Sequence, residues 1–221
     1  SGKHLLTQIA REDPNHVYGG VLTVIMRLVF LLYAEEQGLL PRDEVYVRNY
    51  SIGGLFERLR DAAGRYPDTM DQRYGAWAWL LSLFRLVYDG GGHGELRLPT
   101  RHGQLFDPDE YPFLEGRPQG VARVLGDPLE APPVSDGCIH RALEGLLVLD
   151  GERLSYRALD VEQIGSVYEA MMGFQVETAY GRSIGVRRKK KGMDLDVVID
   201  VDELLTFPAG KRKAWVQERT E

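Results

Sequence analysis

A long apolar run near the start of the chain constrains the fold more than any other feature. Between Val21 and Ala34 only Thr23 and Arg27 are polar, and the run continues into LVFLLYAEEQGLLP, which ends at Pro41. A membrane-spanning helix needs about 20 apolar residues, and an arginine inside such a span costs roughly 2.5–3.5 kcal/mol. The run is therefore predicted to be a buried core helix, and no membrane contact is expected.

The composition is that of a folded globular protein. The 221 residues suffice for one substantial core or two small ones, and 43% of them are apolar and 27% charged. The formal net charge is −6, so any contact with nucleic acid requires a local basic patch. The single cysteine, Cys138, rules out a disulfide within one chain, which fits a reducing cytosol. The start, SGKHLL, lacks the pattern of a signal peptide and resembles the remnant of a cleaved tag, so we expect a piece of a longer protein.

Helix-start signals predict a mainly α fold. The predicted N-caps are Asp13, Ser51, Ser135 and Asp160. Pro14 follows the first of them, and this helix is expected to end near Gln37. Gln163, three residues after Asp160, completes a capping-box pattern at that N-cap. A further helix is predicted from about Met70 to Tyr88, and RDEVYVRNY before Ser51 is interpreted as a connector.

Two stretches depart from helical periodicity. DGGGHGELRLPTRHGQLFDPDEYPFLEGRPQG predicts a long ordered loop with a short hairpin, packed by Phe106, Tyr111 and Phe113. After Gly173 the apolar residues alternate, which predicts strands over 174–180 and 193–201 with RRKKKG as the hairpin tip. The predicted fold class is mainly α, a helical domain with a long ordered loop and a small C-terminal β-hairpin. We divide it into residues 1–133, a helical subdomain with the Gly/Pro-rich loop, and residues 134–221, helices plus the hairpin.

The side chains that commonly perform catalysis do not form a recognisable set. Cys138 and His140 stand two residues apart on a helix and do not face each other, so they predict a small core residue beside a surface histidine. No histidine or cysteine spacing is typical of zinc. The glycine-rich DGGGHGE matches no phosphate-binding loop. Glu35 and Glu36 are about 100° apart on one helix, which indicates a buried partner for one of them, such as an arginine, more than a catalytic pair.

An acidic strand leaves two interpretations open. Asp194, Asp196, Asp200 and Asp202 are expected on one face of the second strand. A solvated face is favoured over a site for a hard cation.

Two basic clusters are the best candidates for a binding site. The predicted DNA-phosphate contacts are Arg187, Arg188, Lys189, Lys190, Lys191, Lys211, Arg212 and Lys213. The alternative is a solvated basic loop that discourages edge pairing of strands.

Several segments, in order, resemble one known family. RLVFLLYAEEQGLLP, YSIGGLFERLR, LFDPDEYPFLEGRP and LDVEQIGSVYEAMMGFQVE are similar to segments of large adenine-specific DNA methyltransferases of restriction–modification and phage-defence systems, including DISARM and BREX. The resemblance spans about residues 17–177. In that family this helical region precedes the catalytic domain, which binds S-adenosylmethionine and holds a flipped adenine in an Asn-Pro-Pro-Tyr/Phe motif. Here APPVSDG has Ala131 in place of the asparagine, so the family's catalytic residues match no position of this chain.

The resemblance implies a non-catalytic helical fragment of a site-specific adenine-N6 DNA methyltransferase in the bacterial cytoplasm. The fragment would brace the catalytic domain and guide double-stranded DNA, with no catalytic, cofactor or metal residue of its own. S-Adenosylmethionine is implied for the parent protein only. A second hypothesis is a protein-interaction module that docks another defence-system subunit through the aromatic residues of YGAWAWLLSLF, although Trp77 and Trp79 are expected to be one core and one half-buried residue. An intact small enzyme is a third, weaker hypothesis.

Overall fold

Short-range capping bonds set where most helices of the first part of the chain begin. The structure is a computed structural model that describes residues 2–94, 96–124, 130–173, 176, 181–190 and 193–220. Its first α-helices are α1 (Gly2–Glu12), α2 (Pro14–Glu36), α3 (Glu44–Asn49), α4 (Ile52–Arg65), α5 (Ala76–Asp89), α6 (Asp136–Leu147) and α7 (Val161–Met172). All four predicted N-caps accept a bond from the first turn of their helix, and Asp160 forms the full capping box.

Two features of this helical part differ from the prediction. The supposed connector contains α3, which Asp43 caps by accepting a bond from the N–H of Tyr46 at 3.0 Å. The helix predicted from Met70 instead begins at Ala76, after a 3₁₀ helix over Pro67–Gln72.

The structure divides into two compact units, residues 1–176 and residues 177–221. Helix α6 packs against α4, α5 and the Pro67–Gln72 helix, all within the first unit. The division therefore falls after Val176, whereas the sequence placed it after Pro133.

Helix α2 lies in the core of the first unit. Leu28, Leu31 and Ala34 are buried, together with the polar Arg27, which is 3% exposed. By length and composition α2 is a candidate membrane span, but 56% of the apolar window is buried within the protein. Helix α2 is therefore a core helix in this structure, as the sequence predicts.

The long loop after α5 is ordered and packs through its aromatic residues. It contains the hairpin β1 (Gly91–His93) and β2 (Leu96–Leu98) and the 3₁₀ turns Gln104–Phe106 and Pro112–Glu115. A second short hairpin, β3 (Val148–Leu149) and β4 (Glu152–Arg153), follows α6. Phe106 and Phe113 are buried, as predicted. Tyr111 and Phe113 lie directly on Gly19 and Gly20 of α2, where a Cβ atom at Gly20 would come within 2.4 Å of the Phe113 ring. Glycine at this position therefore permits the close approach of loop and helix.

Four arginines, which we call the arginine clamp, hold this loop in place. Its members are Arg27, Arg85, Arg117 and Arg123. Arg27 donates to the carbonyl oxygens of Leu105 at 2.6 Å and Asp107 at 2.9 Å.

The other clamp arginines bind carboxylates and further carbonyls. Arg85 makes two bonds, of 2.8 and 2.9 Å, to the buried carboxylate of Glu115. Arg123 binds Asp89 at both oxygens, and Arg117 reaches Glu115, Asp109 and two carbonyls. The loop is thus joined to α2 and α5 at several points along its length.

The second unit consists of a strand pair and two helices. They are β5 (Ser183–Lys190), β6 (Met193–Asp200), α8 (Val201–Thr206) and α9 (Ala209–Thr220). The two strands are antiparallel, and α8 and α9 contact each other and the strands. The fold is therefore mainly α with a C-terminal β-hairpin, which confirms the predicted class.

The strands of this unit are placed differently from the prediction. The predicted first strand, residues 174–180, lies outside the described residues apart from Val176, which is not in a strand. Instead β5 begins at Ser183 and includes residues 187–190, which the sequence pattern predicts to be part of the hairpin tip.

Candidate functional site

The two adjacent glutamates of α2 bind different elements. Glu35 Oε1 accepts bonds from the hydroxyl of Tyr46 at 3.1 Å and from the N–H of Ile52 at 2.8 Å, the first residue of α4. Glu36 accepts a bond of 2.7 Å from the hydroxyl of Ser155. The two carboxylates thus hold separate parts of the fold, and they do not form a catalytic pair.

Burial raises the pKa of Glu35, and the bonds from Ile52, Tyr46 and Gly53 oppose part of that rise. Its main partners are two backbone N–H groups and a tyrosine, not the arginine that the sequence suggested. A cavity of about 360 Å³ adjoins Glu35 and is also lined by Arg42, Glu57 and Arg153. Because Glu35 is already engaged by the first turn of α4, it is poorly placed to act as a free base in this cavity.

Cys138 and His140 have exchanged the environments predicted for them. Cys138 is exposed, whereas His140 is partly buried and its ring stacks on Phe56 with centroids 5.8 Å apart. The prediction of a core cysteine beside a surface histidine was wrong, because α6 turns its Ile139 and Leu143 side to the core. The expectation that the two side chains do not pair agrees with their different environments.

The acidic residues around β6 are divided between the strand and the helix that follows. Asp200 caps α8 by accepting bonds from the N–H groups of Asp202 and Glu203 at 2.8 and 3.0 Å. Asp202 lies in α8, not in the strand. It accepts bonds from the backbone N–H and the guanidinium of Arg182, and these bonds lower the pKa of Asp202. Within the part of the chain that the structure describes, no three histidine, cysteine or acidic residues are grouped to hold a metal ion.

The first basic cluster lies along a strand. The register places Arg187 opposite Asp196, Arg188 opposite Leu195, Lys189 opposite Asp194 and Lys190 opposite Met193. Lys191 lies outside the described residues. Along the ladder, a pair of a basic and an acidic residue thus alternates with a pair of a basic and an apolar residue.

The second basic cluster lies at the start of α9. Lys211 and Lys213 are exposed. Arg212 donates to the carbonyl oxygens of Leu205 at 3.2 Å, in the last turn of α8, and Phe207 at 2.8 Å, just after it. The structure therefore gives Arg212 a role in joining α8 to α9, whereas the two lysines keep their charges at the surface.

The distribution of charge differs between the two units. Residues 177–221 contain 10 basic and 8 acidic residues, and residues 1–176 contain 17 basic and 25 acidic residues. Of the six lysines in the chain, Lys3 alone lies in the first unit. The second unit thus has a formal net charge of +2 in a protein whose total is −6.

This segregation makes the second unit the best candidate for contact with a polyanion. Both clusters are visible in the sequence as contiguous basic residues. The separate role of Arg212 depends on carbonyl groups that only the folded chain brings near it.

No protein-family model matches this chain, and no curated protein or solved structure is significantly similar to it.

Proposed function

We propose that this chain is a non-catalytic helical module of a site-specific adenine-N6 DNA methyltransferase from a bacterial restriction or phage-defence system. The ordered set of segments similar to that family supports the proposal, from RLVFLLYAEEQGLLP to LDVEQIGSVYEAMMGFQVE. In this proposal the first unit braces the catalytic domain of the parent protein. The second unit contacts the phosphates of double-stranded DNA.

The segregation of lysine into residues 189–213 carries the DNA-binding part of the proposal. A lysine presents a mobile point charge that suits contact with phosphate without requiring a particular base. Lys211 and Lys213 are exposed at the surface of α9. By contrast, the clamp arginines of the first unit are bound to carbonyls and carboxylates of the protein and are less available to a ligand.

The proposal assigns the chemical step to other residues of the parent protein. The parent would transfer a methyl group from S-adenosylmethionine to the exocyclic N6 of an adenine that is flipped out of the duplex. We expect calorimetric titration of this chain with S-adenosylmethionine to give no saturable binding. Saturable micromolar binding would overturn this assignment and favour an intact small enzyme.

Binding to duplex DNA tests the proposal directly. We expect the wild-type chain to bind a 20-base-pair duplex with an affinity that falls steeply as the salt concentration rises. Replacing Lys189, Lys190 and Lys191 with glutamate should weaken binding by at least about tenfold. Fluorescence anisotropy across a salt series measures both effects.

A matched control has the same change of charge in the first unit. Arg65, Arg101 and Arg157 are exposed, and their replacement with glutamate should change the affinity by no more than about threefold. Equal losses in the two triple variants would contradict a specific role for the basic clusters. Absence of salt-dependent DNA binding by the wild-type chain would reject the DNA-binding function.

Docking of another defence-system subunit is the alternative function. Trp77 is 5% exposed, and the indole N–H of the half-buried Trp79 donates to the carbonyl of Asn49 at 2.9 Å. The two tryptophans are thus one core and one half-buried residue, as predicted, and they offer little free surface for a partner. Co-elution with a partner subunit that persists in the lysine-to-glutamate variant, with no DNA binding by the wild-type chain, would favour this alternative.

A further inference from the structure

The cavity beside Glu35 in the first unit is lined by groups of different chemistry. Its volume of about 360 Å³ is near the lower end of the range of small-molecule sites, roughly 300–1,000 Å³. Pro41 and Val47 give it an apolar wall, and Val47 is 49% exposed. Arg42 and Arg153 also line it, and both residues are exposed. A group that enters from solvent therefore meets two cationic side chains beside an apolar wall.

The two carboxylates of this cavity already have partners within the protein. Glu35 accepts bonds from the N–H of Ile52 and from the hydroxyl of Tyr46. Glu57 forms an ion pair with Arg60, a residue that does not line the cavity. Neither carboxylate therefore depends on the arginines of the cavity alone for a partner.

The two arginines of the cavity keep most of their hydrogen-bond donors free. Of the residues that the structure describes, none forms a hydrogen bond or an ion pair with the guanidinium of Arg42. Arg153 makes one bond of 3.4 Å to Glu57, which uses one of the five N–H donors of a guanidinium. Gly53 leaves room for this side chain, since a Cβ atom there would come within 3.2 Å of the Arg153 guanidinium.

We infer that this cavity binds the carboxylate of an aspartate or glutamate side chain presented by another protein, with Arg42 and Arg153 as the donors. Pro41 and Val47 would pack against an apolar neighbour of that acidic residue. A guanidinium matches a carboxylate with two parallel hydrogen bonds, and such charge-assisted bonds are about twice as strong as neutral ones. This inference goes beyond the proposed contact of the second unit with DNA and does not depend on it.

The charge of the first unit favours one acidic side chain over a nucleic acid as the ligand. Residues 1–176 contain 17 basic and 25 acidic residues, so this unit repels a polyanion that approaches it. A single carboxylate in the cavity interacts mainly with the two arginines, because exposed charges more than about 8 Å away are largely screened at physiological salt.

A pair of peptides tests the chemistry of the ligand. The probe is acetyl-Leu-Glu-Leu-amide, and acetyl-Leu-Gln-Leu-amide is the control of similar shape without the charge. In an NMR titration we expect the glutamate peptide to shift the backbone amide signals of Gly53 and Gly54, which line the cavity, until they saturate. The glutamine peptide should bind at least about tenfold more weakly. Equal binding of the two peptides would overturn the inference.

Two double variants with the same change of charge test the assigned donors. The first is Arg42→Gln/Arg153→Gln, and the matched control is Arg48→Gln/Arg157→Gln. Arg48 and Arg157 are exposed and lie close in sequence to the two assigned arginines, but they do not line the cavity. We expect the first variant to bind the glutamate peptide about tenfold more weakly than wild type and the control less than about twofold more weakly. Circular dichroism checks that both variants are folded.

The remaining outcomes identify other ligands or reject the site. Inorganic phosphate should bind more weakly than the glutamate peptide because it has no apolar part, and tighter binding of phosphate would overturn the inference in favour of a phosphorylated ligand. Loss of DNA affinity in the first variant would overturn it in favour of a nucleic acid. Equal losses of peptide binding in the two variants, or no saturable shift at millimolar peptide, would also overturn it. None of the peptide results bears on whether the second unit binds DNA.

Discussion

A buried cation of the first unit and two exposed cations of the second show contrasting uses of positive charge. In the first unit, Arg27 is buried and its guanidinium binds two carbonyls of the long loop, beside the rings of Phe84 and Phe106. In the second unit, Lys211 and Lys213 are exposed on α9. A count of basic residues therefore does not locate a binding surface, because the fold has already engaged many of them.

The units also differ in how much apolar surface they bury. The first unit has an extensive core formed by α2, α4, α5 and α6 together with the long loop. Among the described residues of the second unit, Ile199 is the one apolar side chain that is fully buried. Since an isolated two-stranded hairpin is at most marginally stable, the contacts of β5 and β6 with α8 and α9 matter for its stability.

The largest effect is expected from replacing Arg27 with methionine, which fills similar space but donates no hydrogen bonds. Burial lowers the pKa of Arg27 to about 10, so the arginine remains charged at neutral pH. Its removal leaves two loop carbonyls without their partner, and we expect the free energy of unfolding to fall by about 3 kcal/mol. Urea unfolding followed by tryptophan fluorescence measures the loss.

Lys213→Met is the matched control in the second unit. It removes an exposed charge, and the free energy of unfolding should change by less than about 0.5 kcal/mol. If Arg27→Met proved neutral or stabilising, the buried arginine would not hold the loop, and the contrast between the units would fail.

A smaller effect should separate neighbouring residues within one basic cluster. Arg212→Ala removes the bonds to the carbonyls of Phe207 and Leu205, and we expect a local destabilisation of about 1 kcal/mol. Lys211→Ala should leave stability nearly unchanged and reduce the salt dependence of DNA binding instead. Hydrogen exchange of the α9 amides measures the first effect and anisotropy the second. Identical behaviour of the two variants would remove the distinction between a structural and a binding residue in this cluster.

The smallest effect concerns the pH dependence of stability at Glu35. Burial raises the pKa of Glu35 in the folded protein above its ordinary value of 4.5, so the folded state holds this proton more tightly than the unfolded state. The contribution of Glu35 to stability therefore falls as the pH rises from about 4.5 to the raised pKa.

Glu35→Gln should remove this pH dependence. Both short bonds, from Tyr46 and from Ile52, end on one oxygen of Glu35, and an amide oxygen can accept both. The stability of the variant relative to wild type should thus increase with pH across this interval, as urea unfolding at several pH values would show. If the free energies of unfolding of the two proteins changed in parallel with pH, Glu35 would not be the source of this pH dependence.

The local signals predicted much of the fold because their partners are close in sequence. Asp13, Ser51, Ser135 and Asp160 each cap a helix through an N–H group within three residues, so four or five letters suffice to recognise the bond. The short helix α3 was missed because its six residues, EVYVRN, are too few to show a helical period. The start of α5 was missed for a different reason. Asp136, about 60 positions later, accepts bonds from the N–H groups of Gly75 and Ala76.

The amino-acid sequence was enough to predict the helical class, the four helix caps and the core role of α2, and it contains the two basic clusters. Each of these depends on periodicity or on bonds between near neighbours. The partners of Glu35 and Arg27, the bonds of Arg212 and the register of β5 with β6 are known only from the folded chain. These depend on backbone groups that can belong to any other part of the chain, and a polar side chain does not reveal from its own neighbours which of them it will meet.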